Sequence, residues 1–170
     1  MKVCDPEQDL RNLYEEIIGE PARLQRRRSL RHYVGERLSG PGLEKKVVRD
    51  VRIAVPVLQK EVEIPFGYQN GRFNLINPVR FGAQKPEQSV ITACKYAVEG
   101  RSIYENPDSR WGDMQLVVVG QFRARDHETL GRVRRVFDDY RVTLFKMEDL
   151  STLIDEIRRT GKDIDGEATP

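Results

Sequence analysis

Between Val62 and Phe81 the chain reads VEIPFGYQNGRFNLINPVRF, two alternating runs of apolar and polar residues on either side of Asn70-Gly71. Asn-Gly between two such runs is the strongest short-range signal for a β-hairpin, because a two-residue type I′ turn needs positive φ at both central positions. The turn also sets a register: Gln69 is expected opposite Arg72, Tyr68 opposite Phe73, Phe66 opposite Leu75 and Val62 opposite Val79. In that register Pro65 faces Ile76, and Tyr68, Phe73 and Phe66 are most simply core residues.

The surrounding texture extends the hairpin into a larger sheet. VVRDVRIAVPVL alternates and is β-branched, which predicts a strand from about Asp50 to Leu58, with Pro56 at an edge or bulge. MQLVVVG, from Met114 to Gly120, is a continuous apolar run of the kind shown by a strand buried on both faces. RVTLFKM, from Arg141, predicts one further strand. Helical spacing occupies the segments between. Val90, Ala93, Cys94, Ala97 and Val98 are expected inward on one helix; Leu130, Val133, Val136 and Phe137 on a second, about Asp126 to Tyr140; and Leu150, Leu153, Ile154 and Ile157 on a third, Glu148 to Arg159. Two helices precede the strands. Asp5-Pro6 opens the first, with Leu10, Leu13, Tyr14, Ile17 and Ile18 as its stripe, and the second runs from Ala22 to about Leu38. The expected fold is α/β, with order ααβββαβαβα: a central mixed sheet, an antiparallel hairpin plus parallel strands, flanked by helices. Residues 1–160 form one domain with an N-terminal helical pair at about 5–38, and 161–170 form a flexible acidic tail.

Composition narrows the chemistry. With 170 residues, 38% of them hydrophobic, the chain can bury the core of a single domain. No segment approaches the roughly 20 apolar residues of a membrane span, and the N-terminus is acidic where a signal peptide would be basic, so a cytoplasmic protein without membrane contact is expected. Cys4 and Cys94 have no Cys-x-x-Cys spacing and read as reduced thiols. His32 and His127 are the only histidines, too few for a His-rich zinc site and an unpromising start for a Ser-His-Asp triad. Hydrolytic chemistry would have to rest on carboxylates.

The net charge of +2 conceals segregation. Residues 1–20 carry two basic groups against six acidic ones, residues 21–52 ten against three, and the last 24 residues three against seven. The basic run ARLQRRRSLRHYVGERL places Arg23, Arg27 and Arg31 at four-residue steps, with Arg26 and Arg28 beside them and Lys45 and Lys46 beyond. On one helix face that array would follow a phosphate backbone; the bland alternative is a solvated face paired with Glu15 and Glu16. Arg23, Arg26, Arg27, Arg31, Lys45 and Lys46 are therefore the candidate nucleic-acid contacts. No base-reading motif accompanies them, so binding would be non-specific in sequence. Trp111, in the polar loop NPDSRWGDM, is expected to fold back on its own domain more readily than to stack on a base. Arg132, Arg134 and Arg135, followed by Asp138 and Asp139, read as ordinary surface charge.

An antiparallel hairpin feeding a helix and then a buried strand resembles the PD-(D/E)XK, restriction-endonuclease-like fold. Residues from about Asp5 to Ile157 are similar to the C-terminal half of uncharacterised bacterial and phage proteins, which carry a phrase like FDFxYxNG where this chain has IPFGYQNG, together with the LVVVGQF and VTLFKMEDLSTLIDEI patterns. The resemblance implies a metal site built from an aspartate on the first hairpin strand and a Glu-x-Lys on the second. Pro65 matches the aspartate, Ile76 the glutamate and Pro78 the lysine, and none of these offers a ligand oxygen or an ammonium. No catalytic residue, metal or cofactor is therefore assigned. Three readings stay open: a non-catalytic nucleic-acid-binding or accessory domain holding DNA or RNA; a module for a protein partner or homo-oligomer, using the hairpin face around Pro65, Ile76 and Pro78; and a divergent metal-dependent nuclease using Glu63, with Glu61, Asp50 and Glu44 not far away in sequence.

Overall fold

Five strands follow one another across a single sheet in chain order. The computed structural model describes residues 29–81 and 85–164. The helix expected at 5–18, the segment holding Arg23, Arg26 and Arg27, and the end of the tail lie outside the described residues. The described elements are α1 (Leu30–Arg37), β1 (Val47–Val55), β2 (Lys60–Asn70), β3 (Arg72–Arg80), α2 (Pro86–Glu105), β4 (Met114–Gln121), α3 (His127–Asp139), β5 (Thr143–Lys146) and α4 (Leu150–Thr160). β1, β2 and β3 run antiparallel in a meander, and β3, β4 and β5 are parallel. The chain is thus α/β, a mixed five-stranded sheet with helices on its faces, and its element order is the expected one from the second helix onward.

The sheet separates two apolar clusters. On one side Val51, Ile53, Ile64, Phe73, Leu75, Leu116 and Val118 pack with Ala93, Ala97 and Ile103 of α2 and Val133 and Phe137 of α3. On the other, Phe66, Tyr68, Ile76, Val117 and Val119 pack under Leu150, Leu153, Ile154 and Ile157 of α4, with Val34, Leu38 and Leu43 beside them. β4 supplies consecutive residues to both clusters, which is why its sequence is apolar without alternation. α4 buries the four residues its 3.6-residue periodicity predicts.

Several expectations are corrected. β1 spans Val47–Val55 rather than reaching Leu58: Pro56 opens a 3-10 turn, where its fixed φ fits and its missing N–H is not needed. On α2, Cys94 and Val98 face outward; the buried side carries Ser89, Ala93, Ala97, Glu99, Gly100, Ser102 and Ile103. Small residues there let the helix lie close to the sheet and direct the bulkier ones to solvent. Glu99 is the charged exception, 7% exposed and 3.8 Å from Lys95, and burial raises the pKa of its carboxyl.

The hairpin register is one residue away from the expected one. Phe66 lies opposite Ile76, Tyr68 opposite Asn74 and Asn70 opposite Arg72, so the bend centres on Gly71, whose φ of +90° suits glycine alone. Pro65 therefore does not face Ile76. Residues 161–164, expected to fray, are tied down: the N–H of Lys162 donates to the Gln69 carbonyl at 2.8 Å and that of Ile164 to the Lys45 carbonyl at 2.7 Å. Ile164 packs against the α2/α3 cluster. Among the described residues no helix is long and apolar enough to cross a membrane.

Candidate functional site

A break in the β1–β2 ladder lies beside a polar concavity on the surface. Arg49 pairs with Phe66 and Val51 with Ile64, leaving Asp50 and Pro65 between them outside the ladder. Proline has no N–H to donate there, and Asp50 adopts φ +54°, a left-handed conformation that costs a non-glycine residue roughly 1 kcal/mol. Side-chain alternation changes phase at this point in both strands. Val47 packs with the α4-side cluster while Val51, Ile53 and Val55 join the α2/α3 cluster; Ile64 joins the latter, and Phe66 and Tyr68 the former. Asp50 is left facing α1.

α1 begins at Leu30 because Ser29 caps it. The Ser29 hydroxyl accepts from the His32 N–H at 3.1 Å while Ser29 itself is non-helical, at ψ 148°. The helix therefore does not extend through Ser29. Arg31 lies in the first turn of this helix, and Arg23 and Arg27 lie outside the described residues.

Between α1 and β1 lies a cleft of ≈ 560 Å³ whose lining includes Ser29, Arg31, His32, Arg49, Asp50 and Phe66. Phe66, 2% exposed, is its apolar floor. The Arg49 guanidinium sits 5.6 Å from the centre of that ring and donates to the Gly35 carbonyl at 3.0 Å and to the Ser39 hydroxyl. One nitrogen of Arg31, Nη2, donates both to Asp50 and, at 3.4 Å, to Glu63. Arg52 reaches the other Glu63 oxygen at 3.7 Å, and His32 lies 3.4 Å from Glu36. The site is an alternation of cations and anions around an aromatic floor. Its two sheet-borne carboxylates converge on a guanidinium, and among the described residues no three His, Cys, Asp or Glu side chains group closely enough to hold a metal ion.

Of the described candidate nucleic-acid contacts, Arg31 lines this cleft and Lys45 and Lys46 do not; Asp50, named with Glu63 for the nuclease reading, lines it as well. Lys46 turns to the far end of α4, where its ammonium donates to the carbonyls of Arg158 at 2.9 Å and Gly161 at 2.8 Å, as a cation capping a helix C-terminus does. Lys45 is exposed on the approach to β1. Ile76 is fully buried under α4, Pro65 is buried in the break and Pro78 is half-buried, so the surface expected to dock a partner is interior. Trp111 folds back, stacked on Phe73 with centroids 4.0 Å apart, and its loop is held by Asp108, which accepts from the N–H groups of Arg110 and Trp111.

Sequence reading missed a second polar assembly on the far half of the hairpin. The Tyr68 hydroxyl is bonded to Glu156 of α4, and burial, reinforced by that carboxylate, drives the phenol pKa well above its ordinary value. Asn70 donates to Glu156 and to Thr160, each at 3.3 Å, and accepts from Asn74 at 2.7 Å. IPFGYQNG and LSTLIDEI are thereby fastened to one another. The only sequence signal was a polar Tyr-x-Asn beside a turn. No protein-family model matches the chain, and no curated protein matches it.

Proposed function

We propose that this chain is a non-catalytic nucleic-acid-binding or accessory domain of a bacterial or phage system, built on a restriction-endonuclease-like core whose metal-binding positions have been replaced. The observation that carries the reading is Arg31, whose Nη2 joins Asp50 and Glu63. Asp50 stands across the β1–β2 break from Pro65 and Glu63 lies two residues before it, and the Arg31 guanidinium already engages the oxygens that a divalent cation would need. The order β1-β2-β3-β4-β5 with a parallel β3–β4–β5 supports the fold assignment. Arg49 and Arg52 add positive charge around the cleft, and Arg26, Arg27 and Arg28 immediately precede Ser29 in the chain.

Binding of mixed-sequence DNA and RNA should weaken linearly in log–log form as salt rises. Replacing Arg23, Arg27 and Arg31 together by alanine should lower affinity about tenfold or more at low salt, because phosphate contacts are lost and Asp50 and Glu63 become uncompensated. Unchanged retention on heparin by that variant would refute the reading. The divergent-nuclease alternative instead requires Mg²⁺- or Mn²⁺-dependent cleavage that disappears in Glu63→Ala.

A further inference from the structure

The outward face of α2 carries Glu87, Ile91, Cys94, Val98, Arg101 and Glu105, all exposed, at alternating steps of four and three residues. That repeat is the seam by which one helix packs nearly in line with another. Ile91 is 60% and Val98 41% exposed, and Val57, 53% exposed, stands with Val98 at one side of a hollow of ≈ 310 Å³ also lined by Pro56, Tyr140 and the Arg101–Glu105 pair. Ile91 and Val98 thus lie seven residues apart on one helix, about 10 Å along its axis, with Cys94 and Lys95 midway.

We infer that this face is where two copies of the chain meet, α2 against α2 in antiparallel orientation about a two-fold axis near Cys94 and Lys95. The two-fold sets Ile91 of each protomer against Val98 of the partner subunit, at the edge of the hollow that Val57 of the partner subunit borders. Charge selects the orientation. Glu87 near the start of the seam meets Arg101 of the partner subunit near its end, and a two-fold contact makes this exchange twice. Parallel packing would oppose like charges at both positions. Arg101 already holds Glu105 at 2.9 Å, but through Nε, and its remaining guanidinium donors can reach across. This surface is separate from the cleft over β1.

Sedimentation of the full chain from micromolar to millimolar concentration should show a reversible dimer. Ile91→Asp or Val98→Asp, at exposed positions that leave the core untouched, should raise its dissociation constant about tenfold or more. Glu87→Arg and Arg101→Glu should each weaken association, and the two reversals combined should restore it. In a Cys4→Ser background, a short thiol-to-thiol cross-linker should join protomers through Cys94. A chain that stays monomeric throughout, a dimer indifferent to the Asp substitutions, or reversals that fail to rescue one another would overturn the inference. The same holds if the monomeric chain uses this face for a different protein.

Discussion

Strand β2 passes from an open, charged setting to a closed, apolar one within a few residues. Glu61 and Glu63 stand exposed, Glu63 beside the cleft, whereas every residue from Ile64 to Tyr68 is buried. The closed half is held from above by α4, through apolar contacts and through the bonds from Tyr68 and Asn70 to Glu156. The open half meets α1 through ion pairs whose partners are half-exposed, and such pairs contribute little to stability. One strand thus anchors the fold at one end and leaves the other free to carry charge and a strained backbone, a division of labour that substitutions can test.

The closed half should yield the largest effect. Leu153 is fully buried, and Leu153→Ala should lower unfolding free energy by about 2–5 kcal/mol in urea titrations. Tyr68→Phe should cost about 1–2 kcal/mol near neutral pH, because Glu156 loses a donor at a buried contact. Its pH dependence is sharper still. The folded phenol keeps its proton beyond the ordinary value of 10.0, whereas the unfolded chain releases it there, so the native protein should lose stability as pH climbs past 10 and the phenylalanine variant should lack that component. If both proteins decline in parallel, Tyr68 is not buried as described. Asp50→Gly, in the open half, should change stability least, within about 1 kcal/mol, since relief of the left-handed conformation offsets the lost surface pair. The same change should strengthen nucleic-acid binding by releasing Arg31, and a stability loss as large as that of Leu153→Ala would abolish the distinction between the halves.

Much of the architecture was legible because it rests on periodicity. Leu150, Leu153, Ile154 and Ile157 could be read as one helix stripe, and MQLVVVG as a doubly covered strand, without knowing their neighbours. The hairpin was legible as a hairpin, but its register was not: a bend centred on Gly71 and one shared by Asn70 and Gly71 differ by a single residue, enough to exchange Leu75 for Ile76 opposite Phe66. The outward turn of Cys94 and Val98 was hidden because α2 approaches the sheet through its small residues. At the candidate site, positive charge was visible but its destination was not. Arg31 finds Asp50 and Glu63 from 19 and 32 residues away, and Tyr68 finds Glu156 across a still longer separation, so chain folding rather than local pattern decides these partners.

The ends of the sheet carry a final consequence. β5, one border, is only four residues long, and β1, the other, is bent at Asp50 and studded with Arg49, Asp50 and Arg52. Neither offers a long, flat row of free peptide groups on which a neighbouring molecule could lay a strand. Fibrous growth by edge-to-edge stacking is therefore disfavoured at both borders, and crowded copies of this protein are left to meet through their helices.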